Sequence, residues 1–228
     1  MKDKSKIVIF DWGGVVDNTC FETKYNFYQL MIDAARVATH VSHSYSDEAV
    51  WSMLNHAGYG RMSTGYPDRD SFEEALATKL LGMGDIKSHL DAALAATNFI
   101  KFTLSHFKFI PYYDDIVRLE YETGERCKIA LMSDLCWLEA CRLHDQIDTT
   151  KFDHVFESYL CGCTKVKDGG LFPYVQKEIN MPPHRVLFID DVEANIAKAS
   201  KIGWNTYRCK EHDYVGISNA INMFLNKD

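Results

Sequence analysis

Short apolar runs alternate with longer stretches of helical spacing along this chain. Ile7 to Phe10 ends at Asp11, Ile129 to Met132 at Ser133, His154 to Phe156 at Glu157 and Ser158, and Val186 to Ile189 at Asp190. Thr206 to Cys209 is a weaker fifth run. Such runs are rich in β-branched residues and lack clean apolar-polar alternation, so they predict strands buried on both faces, as in a parallel sheet covered by helices. Between the later runs, Ile116, Leu119 and Tyr121 lead to Gly124, and Ile196, Ala199 and Ile202 lead to Gly203, the residue type a helix C-cap favours. The order predicts a doubly wound α/β sheet whose ligands sit beyond the carboxyl ends of the strands.

More than a hundred residues separate the first two runs, too many for a simple crossover, and they predict an inserted helical module. Phe21, Tyr25, Tyr28, Ile32 and Ala35 follow three-and-four spacing, as do Val50, Met53, Leu54 and Ala57. Phe72, Leu76 and Leu80 continue the pattern, followed by Ile86, Leu90, Ala93, Thr97 and Leu104. Ser71 with Glu74 reads as a capping box for the third helix, which Gly82 can close. Asp17 reads as the N-cap of the first inserted helix, and Asp114-Asp115 as a later helix N-terminus. Gly58 to Asp70 is turn chemistry and predicts a loop.

Composition narrows the function classes. With 46% hydrophobic and 25% charged residues among 228, the chain fits a folded globular protein and not a disordered, collagen-like or coiled-coil one. Its 32 acidic against 25 basic residues give a formal charge of -7, so nucleic acid is not an expected partner. The apolar run behind the basic start is too short for a signal peptide, and no stretch approaches the roughly 18 apolar residues of a membrane span. No membrane partner and a cytoplasmic location are expected. Cys20, Cys127, Cys136, Cys141, Cys161, Cys163 and Cys209 lack zinc-ligand spacing and predict reduced, mostly buried thiols. His40 and His43 form no metal-site pattern either.

The candidate chemistry lies at the strand ends. Asp11 stands in Phe10-Asp11-Trp12-Gly13-Gly14-Val15, where two glycines let backbone approach a ligand, although an aspartate after a strand is also a common turn former. Ser133-Asp134 follows the second run, where serine is also a frequent helix N-cap. Asp190-Asp191 is the stronger signal, because adjacent carboxylates repel unless a cation neutralises them. Three strand ends on one sheet edge would bring these groups together, with Lys165 and Lys167 available from the loop after the third run. No G-x-G-x-x-G follows the first run, so a nicotinamide enzyme is not expected.

In these residues the chain resembles the haloacid dehalogenase-like (HAD-like) hydrolases, in the subclass with a helical cap inserted after the first strand. Four motifs stand in the family's order: Phe10-Asp11-Trp12-Gly13-Gly14-Val15, Ala130-Leu131-Met132-Ser133, Gly162-Cys163-Thr164-Lys165, and Phe188-Ile189-Asp190-Asp191 with Asn195 beyond. The resemblance runs from Ile7 to about Arg208. It implies a Rossmann-like α/β core of residues 1–16 and 106–228, and an all-helical cap of residues 17–105. It also implies Asp11 as a nucleophile forming an aspartyl-phosphate, and Mg²⁺ held by Asp11, the Gly13 carbonyl, Asp190 and Asp191. Ser133 and Lys165 would bind phosphoryl oxygens, with Asp134 beside them and backbone amides around Trp12 and Gly13 completing the cradle. Lys165 keeps the family spacing, and Lys167 is the alternative because Val166 stands where proline is usual. The implied substrate is a small phosphorylated metabolite, sugar phosphates included, and Tyr59, Arg61, Tyr66 and Arg69 are candidate cap contacts.

Gly13 departs from the pattern. Many family phosphatases carry a second aspartate there, which protonates the leaving oxygen and then activates water, an effect worth about 10² to 10⁴ in rate. Glycine does neither, although an Asp-x-Gly-x-Val form also occurs in a branch similar to the sugar-1-phosphate phosphatases. Asp17-Asn18-Thr19 is an alternative source of the proton. Two readings therefore stand side by side: a Mg²⁺-dependent phosphatase, and a catalytically silent member that binds a phosphorylated ligand or a protein partner.

Overall fold

A computed structural model of the chain describes residues 3–17, 24–39, 45–83, 86–106, 112–165 and 170–227. Five parallel strands form one sheet: β1 (Asp3–Phe10), β2 (Cys127–Ser133), β3 (His154–Glu157), β4 (Val186–Asp190) and β5 (Asn205–Arg208). Their order is β3-β2-β1-β4-β5. The chain builds outward from β1 to β3, then returns to add β4 on the other side of β1, so the strand order reverses between β1 and β4. Phe10 pairs with Leu131 and with Ile189, which brings Asp11 level with Asp190 at the carboxyl edge.

Both faces of this sheet are apolar, which explains runs without alternation. Val8, Phe10, Ile129, Leu131, Leu187 and Ile189 pack on one side with α5 (Asp114–Gly124), α6 (Trp137–Gln146) and α10 (Tyr214–Leu225). Ile7, Ile9, Ala130, Met132, Val186 and Phe188 pack on the other with α8 (Leu171–Ile179) and α9 (Glu193–Lys201). Successive strand residues point to opposite faces, so a doubly covered strand has no polar position to spare. Phe172, Phe188 and Trp204 meet edge-on at centroid distances of 5.6 to 5.9 Å. Each such pair adds about 0.5–1.5 kcal/mol beyond its burial.

Between β1 and β2 lie α1 (Lys24–Thr39), α2 (Asp47–His56), α3 (Arg69–Gly82) and α4 (His89–His106). They bury their own apolar cluster, in which Ile32, Leu54, Phe72, Leu76 and Phe99 meet Leu138 of α6 and Cys136 just before it. Within α4 the expected stripe of Ile86, Leu90, Ala93, Thr97 and Leu104 is not the buried one. Ala92, Ala95, Ala96, Phe99, Ile100 and Thr103 face inward, while Leu90 is 79% exposed and Ile86 precedes the helix. The alanines decide this, because α1 and α3 both pack on α4 and small residues let backbones approach.

Three local expectations also change. The helix over Phe72 to Leu80 starts at Asp68, whose carboxylate accepts from the Ser71 amide at 2.9 Å, and the Ser71 hydroxyl first and this amide second draw its pKa down. Aspartate is as good a cap as serine and comes first, leaving Ser71 inside the helix. Gly58 to Asp70 is not all loop: Tyr59–Thr64 forms a 3-10 helix between two left-handed glycines. It packs on α7 (Ser158–Cys161) so closely that a Cβ on Gly65 would lie 2.5 Å from the Tyr159 carbonyl oxygen. Asp17 does not adjoin a described helix, the first of which starts at Lys24. It is fully buried, and its backbone bridges both Gly13 and Tyr112, joining the two connections between sheet and inserted helices.

α5 begins at Asp114, as its acidic pair predicts, and α6 is capped by Cys136 rather than Ser133. Among the described residues six cysteines form no disulfide; Cys127, Cys136 and Cys209 are buried, Cys161 and Cys163 half-buried, and Cys141 exposed. Cys20, His40, His43 and Lys167 lie outside the described residues. No described helix is long and apolar enough to cross a membrane.

Glu120 is a buried anomaly. It is fully inaccessible on α5 among Ile116, Val117 and Thr123, and neither carboxyl oxygen has a hydrogen-bond partner among the described residues. Burial pushes its pKa well above the ordinary carboxylate range. A proton held more tightly in the folded than in the unfolded chain stabilises the fold at acid pH, and that contribution disappears as pH rises through the folded-state value. Glu120→Met is therefore expected to be more stable than the native chain by about 1–3 kcal/mol near pH 8. In urea unfolding the difference should shrink toward about pH 4.5. A difference independent of pH would exclude Glu120 as the titrating group.

Candidate active site

Four sequence features converge at the carboxyl edge. β1 delivers Asp11, whose amide continues the ladder to the Ile189 carbonyl at 2.9 Å. The chain then turns tightly: the Trp12 carbonyl accepts from the Val16 and Asp17 amides at 2.9 and 3.1 Å, and the Gly14 amide donates to the Asp17 carbonyl at 2.8 Å. The Trp12 amide donates to Asp11 Oδ1 at 2.7 Å, and its indole is buried in the sheet core. Gly13 is half-buried in this turn.

β4 delivers Asp190 and Asp191. Asp190 is fully buried and saturated: the Val192 amide donates to Oδ1 at 2.8 Å, and Asn195 Nδ2 reaches both oxygens at 3.2 and 3.1 Å. Asp191 lies beside it with Oδ1 buried and without a hydrogen-bond partner among the described residues. Ser133 ends β2 at the same edge, buried and in register with Glu157. Lys165 is buried, with Nζ 2.5 Å from Asp11 Oδ2 and 2.9 Å from Asp190 Oδ2. Asp134 Oδ1 accepts from the Lys165 backbone amide at 2.8 Å. Its carboxylate is thus turned to the main chain of Lys165.

Carboxylate oxygens of Asp11, Asp190 and Asp191 lie within 4.8 Å of one another. Among the described residues three carboxylates face one ammonium, an excess of two negative charges if all ionise. Burial pushes the Asp11 carboxyl well up; Lys165 pulls it back, while Asp190 and Asp191 push it further. Asp191 is raised by burial and then by Asp190. Burial alone would lower the Lys165 pKa, but Asp11, Asp190 and Asp134 outweigh it, so the ammonium stays charged. An oxygen-only donor set with an unsatisfied buried oxygen and a two-charge deficit fits a hard divalent cation.

Gly14 shapes the space beside Asp191. Its φ is +81°, and a Cβ there would fall 2.4 Å from Asp191 Cγ and Oδ2. Gly14→Ala is expected to cost about 1–2 kcal/mol from the left-handed backbone alone. Displacement of Asp191 should weaken divalent-cation binding by roughly 10-fold. Urea unfolding and calorimetric titration with Mg²⁺ measure the two effects, and unchanged cation affinity would remove Asp191 from the ligand set.

No family model matches the chain, and no curated protein matches it in sequence. Solved structures do match it over nearly their whole length. A HAD family enzyme from Bacteroides thetaiotaomicron, crystallised as an aspartate-to-alanine mutant with magnesium and inorganic phosphate, superimposes with a TM-score of 0.65 at 17% identity, over 91% of this chain and 95% of that one. A predicted HAD-like family hydrolase from Porphyromonas gingivalis gives 0.61 at 18% identity, over 98% of each chain. A 2-haloacid dehalogenase from Pseudomonas syringae gives 0.66 at 14% identity, over 96% and 99%.

The chain has the haloacid dehalogenase-like fold. Within it, Asp11 and Asp190 end the two strands that flank the reversal in strand order, where open α/β sheets bind their ligands. At 14–18% identity the likeness carries the fold, and the chemistry rests on the side chains themselves. One neighbour of Lys165 escaped the sequence reading: Lys198 on α9 donates from Nζ to the Lys165 carbonyl at 2.6 Å. Its only sequence signal was a position one helical turn beyond Asn195.

Proposed function

We propose that this protein is a Mg²⁺-dependent phosphatase of small phosphorylated metabolites. The buried cluster of Asp11, Asp190 and Asp191 with Lys165 supports this reading most directly. Asp11, the Gly13 carbonyl, Asp190 and Asp191 would hold Mg²⁺, which when bound draws charge from phosphoryl oxygens. An Asp11 carboxylate oxygen attacks phosphorus; the new O–P bond forms as the bond to the leaving oxygen breaks, giving an aspartyl-phosphate. Water then attacks phosphorus, releasing inorganic phosphate and regenerating the carboxylate. Ser133 and Lys165 bind the phosphoryl oxygens and stabilise the charge that develops. Residues 17–105 serve as a cap, and Tyr59, Arg61 and Tyr66 on and beside the 3-10 turn, with Arg69 at the start of α3, are its candidate substrate contacts. The magnesium and phosphate in the Bacteroides enzyme agree with this assignment.

Position 13 sets the substrate preference. With glycine in place of an acid, leaving groups that need little protonation should react best, which favours aryl and anomeric sugar phosphates over simple alkyl esters. Aryl phosphates should turn over at least about 10²-fold faster than alkyl phosphates with Mg²⁺ present, the low end of general acid help. Equal rates would mean that another side chain supplies the proton.

Glycine at position 13 also favours a second reading, a silent protein that binds a phosphorylated ligand. A phosphatase panel run with and without Mg²⁺ separates the two. Metal-dependent phosphate release supports the enzyme, and phosphate binding without turnover on any substrate supports the silent reading. A dehalogenase would displace halide with Asp11 and have no need of the cation, so halide release from 2-haloacids completes the panel.

A further inference from the structure

Lys165 reaches the carboxylates from a short connection between α7 and α8, yet its main chain is fixed on both sides. Asp134 takes its amide at 2.8 Å, and Lys198 gives a hydrogen bond to its carbonyl at 2.6 Å. Lys198 stands three residues beyond Asn195, so the two share one face of α9. Asn195 on that face orients Asp190, and Asp190 Oδ2 in turn accepts from Lys165 Nζ at 2.9 Å. Lys165 is therefore tied to α9 at both ends: directly at its carbonyl, and through Asp190 at its ammonium. A hydrogen bond from a charged donor to a carbonyl is shorter and stronger than a neutral one, which suits a clamp on a connecting segment.

We infer that Lys198, with Asp134 opposite, is a positioning residue that clamps the peptide of Lys165 and so aims its ammonium at the transferred phosphoryl group. This rests on the reading of Lys165 as the phosphate-binding lysine. The side chain of Lys198 acts through the Lys165 backbone and need not touch substrate.

Three readouts on the full chain test it: binding of inorganic phosphate with Mg²⁺ by calorimetry, kcat and KM on an aryl phosphate, and amide exchange of the peptide containing Thr164 and Lys165. Lys198→Met should weaken phosphate binding and lower kcat/KM by about 10-fold or more, with faster amide exchange, while Lys198→Arg should restore all three to within about 3-fold of native. Unchanged exchange in Lys198→Met would mean that Lys198 acts by charge alone and would overturn the clamp. If the native chain binds no phosphate but the exchange result holds, the clamp survives and the phosphatase reading fails. Should Lys198→Met fail to fold, Asp134→Ala against Asp134→Asn decides, since only asparagine retains an acceptor for the Lys165 amide. Equal exchange in those two variants would overturn the inference.

Discussion

Replacing Asp11 by asparagine should reduce Mg²⁺-dependent phosphate release by roughly 10⁴-fold or more, the scale on which removal of a covalent nucleophile acts. The amide of asparagine does not attack phosphorus at a useful rate, so the first chemical step is lost. The fold should survive, because the side-chain oxygen can still accept from the Trp12 amide, which Asp11 Oδ1 now does at 2.7 Å. A phosphate-release assay beside a thermal melt checks both halves. Native-like turnover in a folded Asp11→Asn chain would remove Asp11 as nucleophile and with it the proposed mechanism.

Replacing Lys165 by methionine should strike stability as hard as activity. It leaves the carboxylates of Asp11, Asp190 and Asp191, the first two buried, with no other described ammonium among them. Breaking a buried ion pair from one side costs about 3–5 kcal/mol. The sign with pH follows from the same charges. Without the ammonium the carboxyl pKa values of Asp11 and Asp191, already raised by burial, rise further, so the folded chain holds protons that the unfolded chain has released, and stability is lost as pH rises. The variant should thus fall furthest behind the native chain near pH 8 and least near pH 5, and saturating Mg²⁺ should recover part of the loss. Urea unfolding at both conditions, with and without the cation, is the measurement. A loss independent of both pH and Mg²⁺ would mean that Lys165 matters for packing alone.

Much of the fold was legible because strand burial leaves a local signature. Ile7 to Phe10 and Val186 to Ile189 are apolar on both faces, and only a sheet covered on both sides asks for that. The positions of Asp11, Ser133 and Asp190 could be read as strand ends by where each run stopped. The inserted helices were legible as helices but not as packed surfaces. In α4 the sequence pattern favoured Leu90, whereas the structure buries Ala92, Ala95 and Ala96, because a helix with two neighbours is oriented by how closely they approach. The buried Asp17 and the close contact of Gly65 with Tyr159 were missed for a similar reason, since each depends on which residue meets it in space, whereas the cap at Asp68 is a local choice between two residues that both cap well.

The amino-acid sequence alone determined the α/β class, the strand ends and the residues carrying carboxylates, because these follow from local periodicity and from where apolar runs stop. Tertiary structure alone decided that Lys165 bridges Asp11 and Asp190, that Asp134 turns to its amide, and that Lys198 holds its carbonyl. Positions 11, 134 and 165 lie far from one another and from the segment holding 190 and 198, and no local pattern records a distance between them. What brings them within hydrogen-bond reach is the register of parallel strands, which sets Phe10 against Ile189 and gathers the loops that follow at one edge.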